Sequence, residues 1–309
     1  MPRKRPKRGS VALGFVVTVG ILSLLTVALL QVGTGVSVTV VQMPSALPTY
    51  SGFLKQFVPS DALQASFDNL TAIRAVNESI ISTQQFFELD QPSVSVNTSS
   101  IGWRLTIGLT TPNATVNVVT LDAASFGGLS ASLAAAGNSN AVPTQKAGNL
   151  TLYAAAGKLA GEVQAYWLTV IPGERTLVYS LGANDALQAV QKVINVYYGK
   201  APSILNQTEV NRMLYAVNGT RGHLALGIQN FPGSVQSGQA TVIAVDASPT
   251  SALIDYVVRF ADADAAQSQL STVKAAYISA HQFFLYDELV KAVEVQPVSQ
   301  LKVAVGLVG

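Results

Sequence analysis

The chain has 309 residues, with 19 Lys and Arg against 17 Asp and Glu, 49 % hydrophobic side chains and no cysteine. That apolar content excludes a disordered stalk, and the missing cysteines exclude a small disulfide-stapled module, so the chain is expected to bury a core of its own. Five of the 19 bases fall in the first eight positions, leaving 14 bases against 17 acids, a net −3, over the rest. Nucleic acid, which needs a basic face, is excluded as a partner.

The N-terminus sets the topology. Arg3, Lys4, Arg5, Lys7 and Arg8 precede 22 uncharged residues from Val11 to Val32. At ~1.5 Å per residue the run reaches ~33 Å, enough for a hydrocarbon core of ~30 Å. A cleavable signal has a shorter apolar region of about 7–15 residues and a small-x-small cleavage site. Here Gly33-Thr34-Gly35 is the only candidate for that site. The expectation is an uncleaved anchor: a cytoplasmic basic tail over 1–10, a transmembrane helix over 11–33 and an extended connector over 34–49. No Lys or Arg follows the run before Lys55, so the remainder is placed outside a cell membrane that the chain crosses once. The lipid bilayer is then one partner, and an envelope protein or glycan is the partner class expected for the outer part. The "KRGS" at 7–10 is also similar to the prepilin-type signals of archaea, which implies cleavage after Gly9, a mature chain starting at Ser10 and a helix that assembles a filament. The chain departs from the bacterial pilin pattern, because its first acid is Asp61.

Beyond the connector, alternation and β-branched runs predict strands at 103–109, 114–121, 149–156, 162–171 and 175–181, then at 222–229, 240–247, 252–260 and 300–308. Helices are predicted over 62–89, 123–136, 185–198, 207–217 and 263–289. "DALQA" occurs at 61–65 and again at 185–189, and both copies read as capped helix starts. "ISTQQFFELD" (81–90) matches "ISAHQFFLYD" (278–287), and "RLTIGL" (104–109) matches "KVAVGL" (302–307), so a helix-then-strand unit is expected at both ends of the outer part. The fold class is therefore α+β: antiparallel sheets with packed helices, on one face, built from internally duplicated helix-strand units and preceded by one transmembrane helix. The outer part divides into halves over 50–200 and 201–309. The C-terminal run is apolar on both alternating faces, so it is expected inside a sheet.

Residues 176–229 carry a strand, a helix with Ala186, Leu187, Ala189, Val190 and Val193, and the turn Gly199-Lys200-Ala201-Pro202-Ser203 leading to Leu205. A short helix and a strand follow. This segment resembles one found in exported, membrane-anchored bacterial and archaeal proteins of unknown function. The resemblance implies an α+β domain outside a membrane and no functional residues.

Asn-x-Ser/Thr occurs at Asn69, Asn77, Asn97, Asn113, Asn149, Asn206 and Asn218, seven of the 14 asparagines, all beyond the apolar run. These are the candidate glycosylation sites. Sequons without cysteines point to an archaeal cell-surface glycoprotein. No catalytic, cofactor or metal site is expected and no enzyme activity is assigned. His223 and His281 read as packing or boundary residues, the latter near the inner face of its helix. "STVK" at 271–274 lies inside a helix without companion motifs, and Asp262 with Asp264 reads as a helix cap rather than a calcium loop. The paired Phe86-Phe87 and Phe283-Phe284 read as core or seam packing. The function expected is a single-pass, N-glycosylated surface protein that binds or scaffolds something in the envelope; the alternatives are a pilin-like filament subunit and, behind it, an envelope enzyme.

Overall fold

The structure is a computed structural model that describes residues 38–40, 47, 50–76, 85–91, 93–159, 162–182, 184–217, 224–230 and 240–300. Within them the fold is α+β, with six helices and one sheet of 15 strands, antiparallel except at one edge strand. In chain order come β1 (Val38–Val40), α1 (Ser51–Phe57), β2 (Ala62–Asp68), α2 (Leu70–Val76), β3 (Gln85–Gln91), β4 (Ser93–Asn97), β5 (Ile101–Leu109), β6 (Ala114–Leu121) and α3 (Ala123–Asn138). Next are β7 (Thr144–Ala147), β8 (Leu150–Leu159), β9 (Glu162–Ile171), β10 (Thr176–Leu181), α4 (Asn184–Tyr197) and α5 (Thr208–Ala216). The last are β11 (Ala225–Asn230), β12 (Ala240–Ala247), β13 (Ser251–Arg259), α6 (Ala263–Ala276), β14 (Ala280–Tyr286) and β15 (Leu289–Pro297).

The strand order is β1-β14-β15-β13-β12-β11-β2-β5-β6-β10-β9-β8-β3-β4, with β7 on the first half of β8 and only β1–β14 parallel. The halves at 50–200 and 201–309 share this sheet, because β2 pairs β11 along Ala65↔Ile228 and its neighbours. Helices cover both faces, not one. On the first face α1, α4 and α5 bury Leu54, Phe57, Val190, Val193, Met213 and Leu214 against Leu105, Ile107, Val116, Val118, Val178 and Val242. On the second, α2 and α3 bury Ile73, Phe126, Leu129 and Leu133 against Val119, Leu121, Leu168, Leu177 and Tyr179. Farther along, α6 packs Ala266 and Val273 on Val258, Val290 and Ala292. Two covered faces explain why "TLVYS" of β10 reads as an unbroken run: Thr176 to Ser180 are all buried, odd and even positions going to opposite helix layers. Each fully buried Val, Leu or Phe contributes roughly 1.5–3 kcal/mol before chain entropy is subtracted.

Two helix expectations are corrected. Among the described residues of 62–89 the chain forms a strand and a short helix up to 76 and another strand from 85, so "DALQA" is the lead-in to β2 at 61–65 and part of α4 at 185–189. The same five residues take opposite forms because their continuations differ. After 189 the apolar positions keep helical spacing, and Ala186, Ala189, Val190, Val193 and Ile194 are all fully buried. After 65, Phe67 and Asp68 are buried on opposite faces between β11 and β5, and Asn69 then ends the strand. The second correction is at 263–289, where α6 stops at Ala276 and "HQFFLY" is a strand. Both "QFF" segments are therefore strands, each the first arm of a hairpin that follows a helix, and the duplicated helix-then-strand unit does not hold in the form expected. His281 accordingly sits on β14, exposed, with Nε2 3.3 Å from the Val295 carbonyl, not on a helix's inner face. The segments at 1–37 and 301–309, with the expected anchor and C-terminal strand, lie outside the described residues.

Candidate functional site

Strand-to-helix junctions are built on one device. Asp122 Oδ1 accepts from Ser125 N at 2.8 Å at the start of α3, Asp262 Oδ1 from Ala265 N at 2.7 Å at α6, and Asn69 Oδ1 from Ala72 N at 3.0 Å at α2. Each fills one of the free amides of a first helical turn. That backbone bond, with burial opposing it, holds the Asp122 carboxyl below the usual carboxylate range.

For Asn69 the cap decides how its sequon is placed. The side chain is half-buried, and its Nδ2 donates to Tyr50 Oη at 3.4 Å, so both ends of the carboxamide are engaged. The other described sequons differ. Asn97 precedes a 3-10 turn leading to β5, Asn113 lies in the β5–β6 turn, Asn149 in the β7–β8 turn, and Asn206 in the 3-10 turn before α5, and all four are exposed. Asn113 and Asn149 lie at opposite ends of the sheet, since β6 starts beside the first and β8 beside the second, and the three successive antiparallel pairings Tyr153↔Leu168, Leu168↔Tyr179 and Tyr179↔Asn117 make β8 and β6 run in opposite directions. Asn77 and Asn218 lie outside the described residues.

Asn206 belongs to a more elaborate structure. Helix α4 ends in a Schellman motif: Gly199 N donates to Val196 O and Lys200 N to Asn195 O, both at 2.8 Å, with Gly199 at φ +67° where a side chain would be strained. The chain then turns at Pro202 and zips onto the residues after α1, through Ser60 N to Pro202 O at 3.0 Å and Ile204 N to Val58 O at 2.8 Å. Ser203 and Asn206 form a capping box in which Ser203 N and Oγ donate to Asn206 Oδ1 at 2.9 and 3.2 Å. The "GKAPS" turn is thus the joint that locks α4 to α1. Between them opens a cleft of about 770 Å³, lined by Lys55, Gln56, Tyr197, Lys200, Ser203 and Asn206 among others.

Tyr197 gives the cleft an aromatic lining residue. Tyr197 stacks on Phe57 (centroids 5.6 Å, planes 12° apart), and the contact runs on through Phe57–Trp103, Trp103–Phe53, Phe53–Phe67 and Phe67–Tyr50, fastening α1 to the sheet. Gln56 Nε2 donates to Glu174 Oε1 at 2.5 Å, and burial together with Glu174 raises the Tyr197 hydroxyl above its usual range. Two lysines and no carboxylate line the cleft, with the Lys200 ammonium 5.4 Å from the Tyr198 ring. The Tyr197 and Ser203 hydroxyls are engaged by Glu174 and Asn206, so the arrangement offers the two ammonium groups as donors beside an aromatic ring, a surface suited to polyhydroxylated groups.

Two ion pairs are buried inside the layers. Asp68 and Arg104 face each other on β2 and β5, 2.6 Å apart, with side chains 8 % and 6 % exposed. Lys291 on β15 reaches Asp255 on β13 at 2.7 Å and donates to the Ala216 carbonyl at the end of α5 at 3.0 Å. Their sequence signal was a charge inside an apolar strand, as in "ALIDYVV" and "LVKAVEV", and both pairs escaped the sequence reading. Among the remaining candidates, Ser271 is exposed on α6 and Lys274 lies 5.9 Å from the Phe283 ring. Among the described residues no group of three His, Cys, Asp or Glu could hold a metal ion, and no helix is long and apolar enough to cross a membrane.

No family model and no curated protein matches the chain. Solved structures of TP0453 are similar in outline. Crystal form I covers 79 % of this chain and 93 % of its own at 10 % identity and TM-score 0.43, form III gives 79 %, 94 %, 10 % and 0.45, and form IV gives 77 %, 92 %, 7 % and 0.44. At these scores nothing of TP0453 is carried over to this chain.

Proposed function

We propose that the chain is a single-pass membrane protein whose α+β part stands outside the cell, carries N-linked glycans and serves a binding or scaffolding role in the envelope, without catalysis. The observation that supports this best is the placement of the sequons. Asn97, Asn113, Asn149 and Asn206 are exposed, each in a turn or at a turn's edge, where a transferase reaches an asparagine without opening the core. The basic tail and the apolar run at 11–33 supply the tether, with the N-terminus inside. Thick helix layers on both faces of a wide sheet suit a rigid spacer, and the α1–α4 cleft gives it a concave surface. The test is glycopeptide mapping of protein extracted from native membranes. Glycans are expected at Asn97, Asn113, Asn149 and Asn206, with Asn69 unmodified because its Nδ2 is turned to Tyr50. Recovery of all four exposed asparagines unmodified would overturn the reading.

A further inference from the structure

We propose that the glycan on Asn206 lies back in the α1–α4 cleft and acts as a wedge bracing α1 against α4. The inference rests on the glycosylation reading above. Asn206 itself lines the cleft, so a sugar attached to it begins inside. Its Oδ1 is fixed by two donors from Ser203, which holds the plane of the carboxamide. Glycosylation replaces one hydrogen on Nδ2 and leaves the carbonyl oxygen intact, so the capping box survives attachment and sets the direction in which the first sugar leaves. The cavity of about 770 Å³ lies inside the ~300–1,000 Å³ range of clefts that hold small molecules. Its walls match carbohydrate: sugar hydroxyls accept from Lys55, Lys200 and the Gln56 amide, while the half-buried Tyr197 ring offers an aromatic surface beside them. Asn97, Asn113 and Asn149 are exposed and do not line this cleft, so their glycans extend into solvent.

The test compares two full-length variants made in the native host. Thr208→Ala destroys the sequon and Thr208→Ser keeps it; Thr208 is exposed, and neither change touches the Ser203–Asn206 box. Glycopeptide mapping reads occupancy, and amide hydrogen exchange reads bracing. The expected result is occupied Asn206 in the wild type and in Thr208→Ser, with amides of 51–57 and 199–207 exchanging several-fold faster in Thr208→Ala while β12 is unchanged. Equal exchange in all three proteins, with Asn206 occupied in the wild type and in Thr208→Ser, would overturn the wedge and leave surface glycosylation standing. Asn206 bare while Asn97, Asn113 and Asn149 are occupied would overturn the wedge alone, and glycans at none of these positions would overturn both. A free oligosaccharide that restored protection to Thr208→Ala would also overturn the wedge, since the cleft would then be a site for ligands in solution.

Discussion

Replacing Lys291 with Met tests how the second half of the sheet holds its helix. The Lys291 ammonium is 2.7 Å from Asp255 Oδ2, with side chains 7 % and 1 % exposed, and it donates to the Ala216 carbonyl at 3.0 Å. It neutralises a buried carboxylate and also supplies positive charge at the C-terminal end of α5, where the helix dipole favours it. Met fills a similar volume, so the loss is electrostatic. An unpaired buried carboxylate costs about 3–5 kcal/mol, and the orphaned carbonyl adds about 1 kcal/mol. Against a domain stability of about 5–15 kcal/mol this removes a large share. Urea unfolding of the full chain in detergent, followed by fluorescence of Trp103 and Trp167, reads the effect as a lower midpoint with unchanged slope. The double variant Asp255→Leu/Lys291→Met deletes both charges and should recover most of the loss, giving a coupling of about 2 kcal/mol or more. A single Lys291→Met cost under about 1 kcal/mol, or costs that add without coupling, would refute the assignment.

Gly157→Ala should release the β3–β4 hairpin, because a Cβ there would sit 2.1 Å from the Glu88 carbonyl oxygen; hydrogen exchange should show 88–91 losing protection while β9 and β10 keep theirs. Asp262→Ala should lower stability by about 1 kcal/mol in the same urea assay through loss of the Ala265 cap. Alkali should unfold the domain from pH 10 upward. Burial pushes Tyr166 up to about 12 from 10.0, and it raises Tyr179 and, with Glu294, Tyr256 further. Folded tyrosines stay neutral while unfolded ones ionise, so stability is complete below pH 10 and falls through the window from 10 to 12. A spectrophotometric titration in which every tyrosine ionised near pH 10 without unfolding would contradict this.

The strands easiest to read were those with no competing period. Ala114–Leu121, Glu162–Ile171 and Ala240–Ala247 match the expected bounds to the residue, since their apolar and β-branched runs carry no helical period. Failure came where local signals were shared between two forms. "DALQA" fits either form, and only the pairing of β2 with strands distant in sequence decides it. At 277–289 neither Gly nor Pro marks the passage from α6 into β14, and the β14–β15 turn relies on Asp287 in the left-handed region at φ +47°, a role the sequence shows only weakly. The sequons were fully legible, but their rank was not. That Asn69 caps α2 and that Asn206 lines a cleft depend on Tyr50 and on the "GKAPS" joint, and neither pattern lies within the tripeptide.

On the proposed topology a tethered domain faces the outside of the cell. Protease treatment of intact cells, followed by mass spectrometry of both the released and the membrane-retained peptides, tests it most directly. The predicted result is release of peptides from 50–300 while the membrane keeps an N-terminal fragment with Met1 or Pro2 and the basic tail uncut. A domain that resists protease until the cells are permeabilised, or a retained fragment starting at Ser10 and assembled in filaments, would contradict it.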